Sequence, residues 1–233
     1  MRKLIVANYK MNGSKSFYLS ALKQIKKISV KDTDLVLCPP FVYLPFFENC
    51  KNFSLGAQNL ANVVNNKNTG EISVNMLKDN NVKYCIVGHS ERRAMGETNE
   101  QINQKVKLCV DNEITPIICV GENKMNSSLN KLKSQVKSAV LNVSSKNIIF
   151  AYEPIWAIGT GVTPTIDRIK KAVQIIKSSL KEVNISCKVL YGGSVNNENY
   201  KQFLDKLVDG FLLGGISLKI KEFIELVEGV ENE

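Results

Sequence analysis

Eight short apolar segments rich in β-branched residues recur along this chain of 233 residues, and longer segments with helical periodicity separate them. The apolar segments are residues 4–7, 34–38, 53–57, 82–87, 114–120, 148–152, 187–191 and 208–213. Strands that are apolar throughout, without alternation, are buried on both faces, which indicates a parallel sheet covered by helices. Eight such units predict an α/β protein with a single (β/α)8 barrel domain over residues 1–233. A doubly wound open sheet is the alternative.

The segments between the strands predict amphipathic helices. Apolar residues at helical spacing share one face in two of them, and these residues are Ile102, Val106, Cys109 and Val110 in one and Ile169, Val173, Ile176 and Leu180 in the other. Residues 98–101 match a capping box that begins at Thr98. Pro164 is expected at the first position of a later helix.

One histidine and six unpaired cysteines limit the chemistry. The cysteines contain no Cys-x-x-Cys spacing, and they predict reduced, buried thiols in a cytosolic protein. Because His89 is the only histidine, a zinc or iron site built from His and Cys has little support, and we expect no metal; only an oxygen-ligated ion stays open. No segment approaches the roughly 20 apolar residues of a membrane span, so we expect a cytoplasmic protein without membrane association.

The net charge of +9 indicates an anionic partner, which could be nucleic acid, an acidic membrane or a phosphorylated metabolite. Most of the basic residues are lysines scattered along the helical segments, whereas the arginines are limited to Arg2, Arg92, Arg93 and Arg168. This distribution favours a solvated lysine surface over a stripe that binds nucleic acid.

Reactive side chains in such a barrel belong at the C-terminal ends of the strands. Asn8 and Lys10 follow the first apolar segment, His89 follows the fourth and Glu153 follows the sixth. A cation, an imidazole and a carboxylate on one rim are the groups that abstract a proton next to a carbonyl. We therefore expect Lys10, His89 and Glu153 to meet.

Two glycine pairs predict a phosphate site. Residues 192–193 and 214–215 follow the seventh and eighth apolar segments, where backbone N–H groups can approach an anion closely. Residues 155–161 are apolar where a loop should be polar, and they predict a lid that closes over a ligand and uses the Gly159 N–H as a further donor. The expected substrate is a small phosphate ester.

Five motifs along the chain resemble the triosephosphate isomerase family. They occupy residues 7–13, 88–93, 151–161, 191–195 and 209–218, in the same order as in the family and over nearly the whole chain. The resemblance implies a TIM barrel that interconverts D-glyceraldehyde 3-phosphate and dihydroxyacetone phosphate without a cofactor, in glycolysis and gluconeogenesis. It also implies a homodimer.

The resemblance implies a role for each rim residue. Glu153 would be the base, His89 the electrophile on the carbonyl oxygen, Lys10 the cation that binds the anionic substrate, and Asn8 a residue that orients oxygens. The phosphate donors would be the N–H groups of Gly159, Ser194, Gly214 and Gly215.

Two further expectations concern charge near this rim. Glu91 is expected to orient Lys10 or to lie behind it, because a buried ammonium requires a partner. His89 precedes a predicted short helix whose N-terminus disfavours imidazolium, so we expect a neutral ring.

Three positions depart from the family pattern. Tyr9 replaces the usual tryptophan, and the loop of residues 64–71 lacks the common Gly-Ala-Phe although it retains Thr69. That loop reaches the partner subunit in family dimers. The chain is also shorter than usual after Gly161, at the C-terminal end of the lid. Two other functions remain open: a different sugar-phosphate isomerase, and a catalytically silent basic barrel that binds nucleic acid or an anionic surface.

Overall fold

The computed structural model describes residues 2–47, 51–63, 67–125, 127–145, 147–204 and 207–233. Eight parallel strands form a closed barrel in chain order, and β1 pairs with β8 to close it. The strands are β1 (Lys3–Asn8), β2 (Thr33–Cys38), β3 (Ser54–Ala57), β4 (Tyr84–Val87), β5 (Thr115–Val120), β6 (Ile149–Tyr152), β7 (Lys188–Tyr191) and β8 (Gly210–Leu213). The predicted (β/α)8 barrel is confirmed, and the open sheet is excluded.

Helices cover the outside of the barrel. They are α1 (Lys15–Ile25), α2 (Val74–Asp79), α3 (Ser90–Ala94), α4 (Asn99–Asp111), α5 (Asn130–Ala139), α6 (Ile166–Lys181), α7 (Tyr200–Leu204) and α8 (Ile220–Glu231). Short 3₁₀ helices span Phe41–Phe47, Ile155–Ala157 and Gly215–Leu218. Each strand is therefore followed by helical structure, as the alternating sequence pattern predicts.

The strands are buried on both faces, which explains why they are apolar throughout. One cluster fills the barrel interior and includes Val6, Ile86 and Leu190. A larger cluster lies between the strands and the helices and includes Ile102, Val106 and Cys109 from the predicted face of α4 and Ile169, Val173, Ile176 and Leu180 from that of α6. Val110 lies half-buried at the edge of this layer.

Hydrogen bonds from backbone N–H groups to capping side chains determine where α4 and α6 begin. The Thr98 hydroxyl accepts from the N–H of Gln101, and the Gln101 amide oxygen accepts from the N–H of Thr98, so the predicted capping box is confirmed. The prediction for Pro164 was wrong, because α6 begins at Ile166 after the N-cap Thr165. The Thr165 hydroxyl accepts from the N–H of Arg168 and satisfies a free donor there, which leaves Pro164 outside the helix.

The described cysteines are free thiols. Cys38, Cys85, Cys109 and Cys119 are buried, while Cys187 is only half-buried and precedes β7 instead of lying within it. Burial, together with the charge of Asp209, raises the pKa of the Cys187 thiol to about 12. Cys50 lies outside the described residues. Within the described ranges, no helix could span a membrane, and no cluster of His, Cys, Asp or Glu could hold a metal ion.

Removal of the Thr98 cap tests the local stability argument. We expect Thr98→Ala to lower the free energy of unfolding by about 1 kcal/mol, because the N–H of Gln101 loses its acceptor. Denaturant titration followed by circular dichroism measures the change. Thr98→Ser keeps the hydroxyl and is the control, so equal losses in both variants would contradict the role of the cap.

Candidate active site

The predicted rim residues meet at one cavity of about 270 Å³ at the C-terminal end of the barrel. Its wall includes all eight residues predicted to catalyse or to bind substrate, namely Asn8, Lys10, His89, Glu153, Gly159, Ser194, Gly214 and Gly215. These residues come from the ends of β1, β4, β6, β7 and β8 and from the segment after β6. Parallel strands in a closed barrel carry their C-terminal ends to the same rim, and this brings distant parts of the chain together.

Glu153 is the most enclosed carboxylate of this cavity, with 3% of the residue exposed. Its Oε1 lies 3.1 Å from the Nε2 of His89, and its Oε2 accepts from the backbone N–H of Ser90 at 3.1 Å. Both oxygens therefore have a donor partner, although each partner belongs to the β4 rim and not to β6. A buried carboxylate held by directed donors can act as a base once it turns away from them.

Two glycines allow the backbone of Glu153 to occupy this position. A Cβ added to Gly121, after β5, would lie 1.7 Å from the Glu153 carbonyl oxygen. A Cβ added to Gly192, after β7, would lie 3.0 Å from the Glu153 Cγ. Backbone hydrogen bonds hold this segment between the two strand ends. The N–H of Glu153 donates to the Val120 carbonyl, and the carbonyl of the preceding Tyr152 accepts from the N–H of Gly192, both at 2.8 Å. Sequence reasoning missed Gly121, although its position directly after an apolar segment could have identified it.

His89 is the N-cap residue of α3, and this fixes its tautomer. The backbone N–H of Glu91 donates to Nδ1 at 3.3 Å, so Nδ1 is an acceptor and the ring proton lies on Nε2, toward Glu153. Burial lowers the pKa of His89, but the charge and hydrogen bond of Glu153 outweigh this effect, and the net pKa is raised. The expectation from the helix N-terminus alone was incomplete, because it omitted the facing carboxylate.

Lys10 is held in a left-handed backbone conformation, with φ of 52°. Its N–H donates to the side-chain oxygen of Asn8 at 3.0 Å, and its carbonyl accepts from Gln58 at 2.9 Å. The ammonium lies 2.6 Å from Glu91 Oε1, so the carboxylate expected to orient Lys10 is in contact with it. Gln58 was not identified from the sequence, since an isolated glutamine after β3 gives no chemical signal.

The cavity wall also contains glycines and a serine. Gly159 has φ of 71°, which favours glycine, and Gly214 is the N-cap of the 3₁₀ helix that begins at Gly215. The Ser194 hydroxyl donates to the Ala157 carbonyl at 3.0 Å, which ties the segment after β6 to the end of β7. Backbone N–H groups that no side chain shields can donate hydrogen bonds to an anion.

A buried carboxylate that the sequence analysis overlooked organises the outer side of the segment after β6. Oε1 of Glu122 accepts from the hydroxyl of Tyr152 at 2.9 Å, the indole N–H of Trp156 at 3.2 Å and Nη2 of Arg168 at 2.8 Å. Burial lowers the pKa of Arg168, but the hydrogen bond and charge of Glu122 raise it overall. Because Glu122 follows β5 by two residues, the same rim rule that identified Glu153 could have found it.

Two supporting residues, Glu91 and Thr69, lie outside the cavity wall; Glu91 contacts Lys10, whereas Thr69 lies apart from the cavity. Thr69 is exposed, in the loop before α2, and no wall residue of the cavity comes from that loop in the part of the chain that the structure describes. Residues 64–66 of the altered loop lie outside the described residues.

The fold and the rim define a (β/α)8 barrel with a carboxylate, an imidazole and an ammonium group at one rim cavity. The family model described as triosephosphate isomerase matches residues 3–230. Proteins named triosephosphate isomerase from Alkaliphilus oremlandii, Ruthia magnifica and Mycoplasma mobile are each 39% identical to this chain; the alignments cover 97% of this chain and 99%, 98% and 99% of the relatives. The chain belongs to the triosephosphate isomerase family.

Substitution of Gly121 tests how closely the chain must approach Glu153. We expect Gly121→Ala to displace the Glu153 backbone by about 1 Å, because a methyl group cannot occupy space 1.7 Å from a carbonyl oxygen. A crystal structure of the variant would show the Glu153–His89 distance increased. Gly192→Ala, whose methyl group meets the Glu153 Cγ at 3.0 Å and the Tyr152 carbonyl oxygen at 3.4 Å, should leave the Glu153 backbone in place and is the milder control. An unchanged Glu153 position in Gly121→Ala would contradict this account.

Proposed function

We propose that this chain is a cytoplasmic triosephosphate isomerase that interconverts D-glyceraldehyde 3-phosphate and dihydroxyacetone phosphate through an enediolate, in glycolysis and gluconeogenesis. The observation that carries the proposal is the pairing of Glu153 with His89 at 3.1 Å in a cavity whose wall also contains glycines. A volume of about 270 Å³ is at the lower end of ligand sites and suits a three-carbon ester better than a larger sugar phosphate. We further propose that residues 1–233 form one catalytic domain and need no cofactor.

Glu153 is the base in this proposal. Substrate entering the cavity separates the carboxylate from Ser90 and His89, and the carboxylate then faces the carbon between carbonyl and hydroxyl. Loss of those two donors and of solvent makes the carboxylate more basic. The proton it takes from one carbon is returned to the neighbouring carbon. The hydroxyl proton passes to the former carbonyl oxygen through Nε2 of His89, and the two transfers together complete the isomerisation.

His89 supplies the electrophile as a neutral ring. With Nδ1 occupied by the N–H of Glu91, the Nε2 proton is available to the carbonyl oxygen of the substrate, which takes the place of Glu153 Oε1. The carboxylate that raises the pKa of His89 is then drawn to the substrate carbon, and burial keeps the ring uncharged. A neutral His89 ring can exchange its Nε2 proton with each substrate oxygen in turn, so this transfer needs no proton from solvent.

Lys10 and Asn8 bind the oxygens of the substrate. The Lys10 ammonium balances the negative charge of the phosphate and of the enediolate, and its contact with Glu91 directs it toward the cavity. Asn8 holds the Lys10 backbone in its left-handed turn through the hydrogen bond to its N–H. Phosphate binds to the N–H groups of Gly159, Ser194, Gly214 and Gly215.

Residues 155–161 act as the lid in this proposal. Its glycines at positions 159 and 161 both have positive φ, and the segment around them is exposed. Closure over the substrate brings the Gly159 N–H to the phosphate and excludes water, which protects the enediolate from losing its phosphate. The shortened connection after Gly161 leaves fewer residues to absorb this movement.

We propose a homodimer as the working form. Met11, next to Lys10, is 96% exposed, and Met95, at the end of the helix that His89 caps, is 75% exposed. Exposed methionines beside two reactive residues are typical of a surface that another chain covers. A second copy here would cover the Lys10 turn, and Thr69, in an exposed loop, would contact that copy in the proposed dimer. The nucleic-acid alternative gains no support from the rim cavity, whose volume of about 270 Å³ suits a small molecule.

Glu153→Gln tests whether the Glu153 carboxylate is the base, because the substitution removes the basicity of the side chain and keeps its shape. We expect turnover of both triose phosphates to fall by at least about 10²-fold, since an amide cannot accept the proton, while affinity for inorganic phosphate stays within about two-fold of wild type. A coupled enzymatic assay in each direction measures turnover, and calorimetry measures phosphate binding. Near-normal turnover in the variant would overturn the assignment of the base, and inactive wild-type protein would overturn the function.

Lys10→Met tests the cation. We expect a higher KM and a lower kcat together, with kcat/KM reduced by about 10²-fold or more, because both substrate and enediolate lose their counter-charge. The same assay applies. Lys23→Met removes an exposed lysine of α1 away from the cavity and should behave as wild type, so that equal effects of the two substitutions would point to net charge and not to Lys10.

A further inference from the structure

A second cavity, of about 350 Å³, lies on the outer side of the lid. It shares no wall residue with the active-site cavity among the described residues. We call it the lid-root cavity, because its wall includes Trp156 from the start of the lid and Thr163 and Pro164 from just after its end. The rest of the wall comes from α6 and from the connection between β5 and α5.

The wall of the lid-root cavity is apolar on one side and cationic on the other. Met125, Leu129, Trp156 and Pro164 supply apolar surface, and Met125 is half-exposed at its edge. Arg168 and Lys171 are three residues apart on α6 and therefore share a helix face. An amphipathic wall of this kind suits a ligand with an apolar body and one anionic group.

The two cations retain binding capacity. Arg168 uses Nε and Nη2 for Glu122, and Nη2 also donates to the Ser127 carbonyl. Across the described part of the chain, its Nη1 donates to no protein acceptor, and Lys171 forms no ion pair. One acid, Asp167, also lines the cavity, and Glu122 already pairs with Arg168, so the groups left for an anion are the Lys171 ammonium and Nη1 of Arg168.

The position of Trp156 connects this cavity to the lid. Its indole N–H reaches Glu122, and Glu122 binds Arg168, so the lid, the β5 end and α6 are joined through one carboxylate. Movement of residues 155–161 relative to α6 must change the shape of a cavity that has walls on both. A ligand that fills the cavity therefore favours the lid position in which the cavity exists.

We propose that the lid-root cavity is a regulatory site for small amphipathic anions, and that its occupation holds Trp156 and opposes closure of the lid over the active site. The binding step stands by itself, whereas the effect on closure rests on the proposed function of the lid. By thermodynamic reciprocity, phosphate in the active site must weaken the regulatory ligand by the same factor.

Tryptophan fluorescence can measure binding to the lid-root cavity. Trp156 is the only tryptophan in the chain, so energy transfer from tryptophan to bound anilinonaphthalene sulfonate, the probe, reports a probe bound near the lid, and the substitution of Lys171 below assigns it to this cavity. We expect saturable transfer with one probe per chain. Lys171→Glu should weaken the probe about five-fold, because an attraction becomes a repulsion at an exposed site. Lys170→Glu makes the same charge change on a neighbouring exposed residue outside the wall and should leave binding unchanged.

Phosphate affinity measures the effect on the lid without any turnover. We expect the Kd of inorganic phosphate, measured by calorimetry on wild-type protein, to rise about five-fold with increasing probe and then reach a plateau. A continuous rise without a plateau would mean direct competition in the active site and would overturn the proposal. So would equal probe binding by wild type and Lys171→Glu, or a phosphate affinity that the bound probe does not change. Loss of isomerase activity would contradict the proposed function but would alter none of these readings.

Discussion

The contact between the buried Glu153 carboxylate and the rim of β4 is the interaction on which the site depends. Glu153 follows β6, but its two oxygens are held by the Nε2 proton of His89 and the N–H of Ser90, which belong to a strand two positions away in the barrel. Burial makes the carboxylate costly to leave without partners, and these two donors offset that cost. The arrangement keeps the Glu153 carboxylate and the His89 ring beside each other.

That contact requires the barrel to bring backbones unusually close. Gly121 leaves no side chain where the Glu153 backbone passes, and Gly192 leaves none beside the Glu153 Cγ. On the far side, Glu122 binds Tyr152, Trp156 and Arg168 with a single oxygen and joins the segment after β6 to α6. Two buried carboxylates thus lie on adjacent strand ends with different partners, since Glu153 contacts the β4 rim whereas Glu122 contacts β6, the segment after it and α6.

The sequence predicted much of this arrangement, because the strands are apolar on both faces and the rim residues follow them directly. Runs such as residues 148–152 identify a buried strand, and Glu153 is then placed by position alone. Other features depend on contacts that no local pattern encodes. The start of α6 was set by the Thr165 hydroxyl and not by Pro164, the raised pKa of His89 comes from a carboxylate distant in sequence, and Gln58 supports Lys10 from β3.

Closure of the barrel between β1 and β8 has a consequence for the synthesis of the chain. Leu4 to Ala7 pair with Gly210 to Leu213, so the first strand lacks its second neighbour until residues 210–213 have left the ribosome. Until then, a partly made sheet exposes two unpaired edges of apolar sequence, which other nascent chains can join. The closed barrel of the mature protein has no unpaired strand edge. During synthesis the sheet is still open, so the nascent chain is more prone to aggregation than the mature protein.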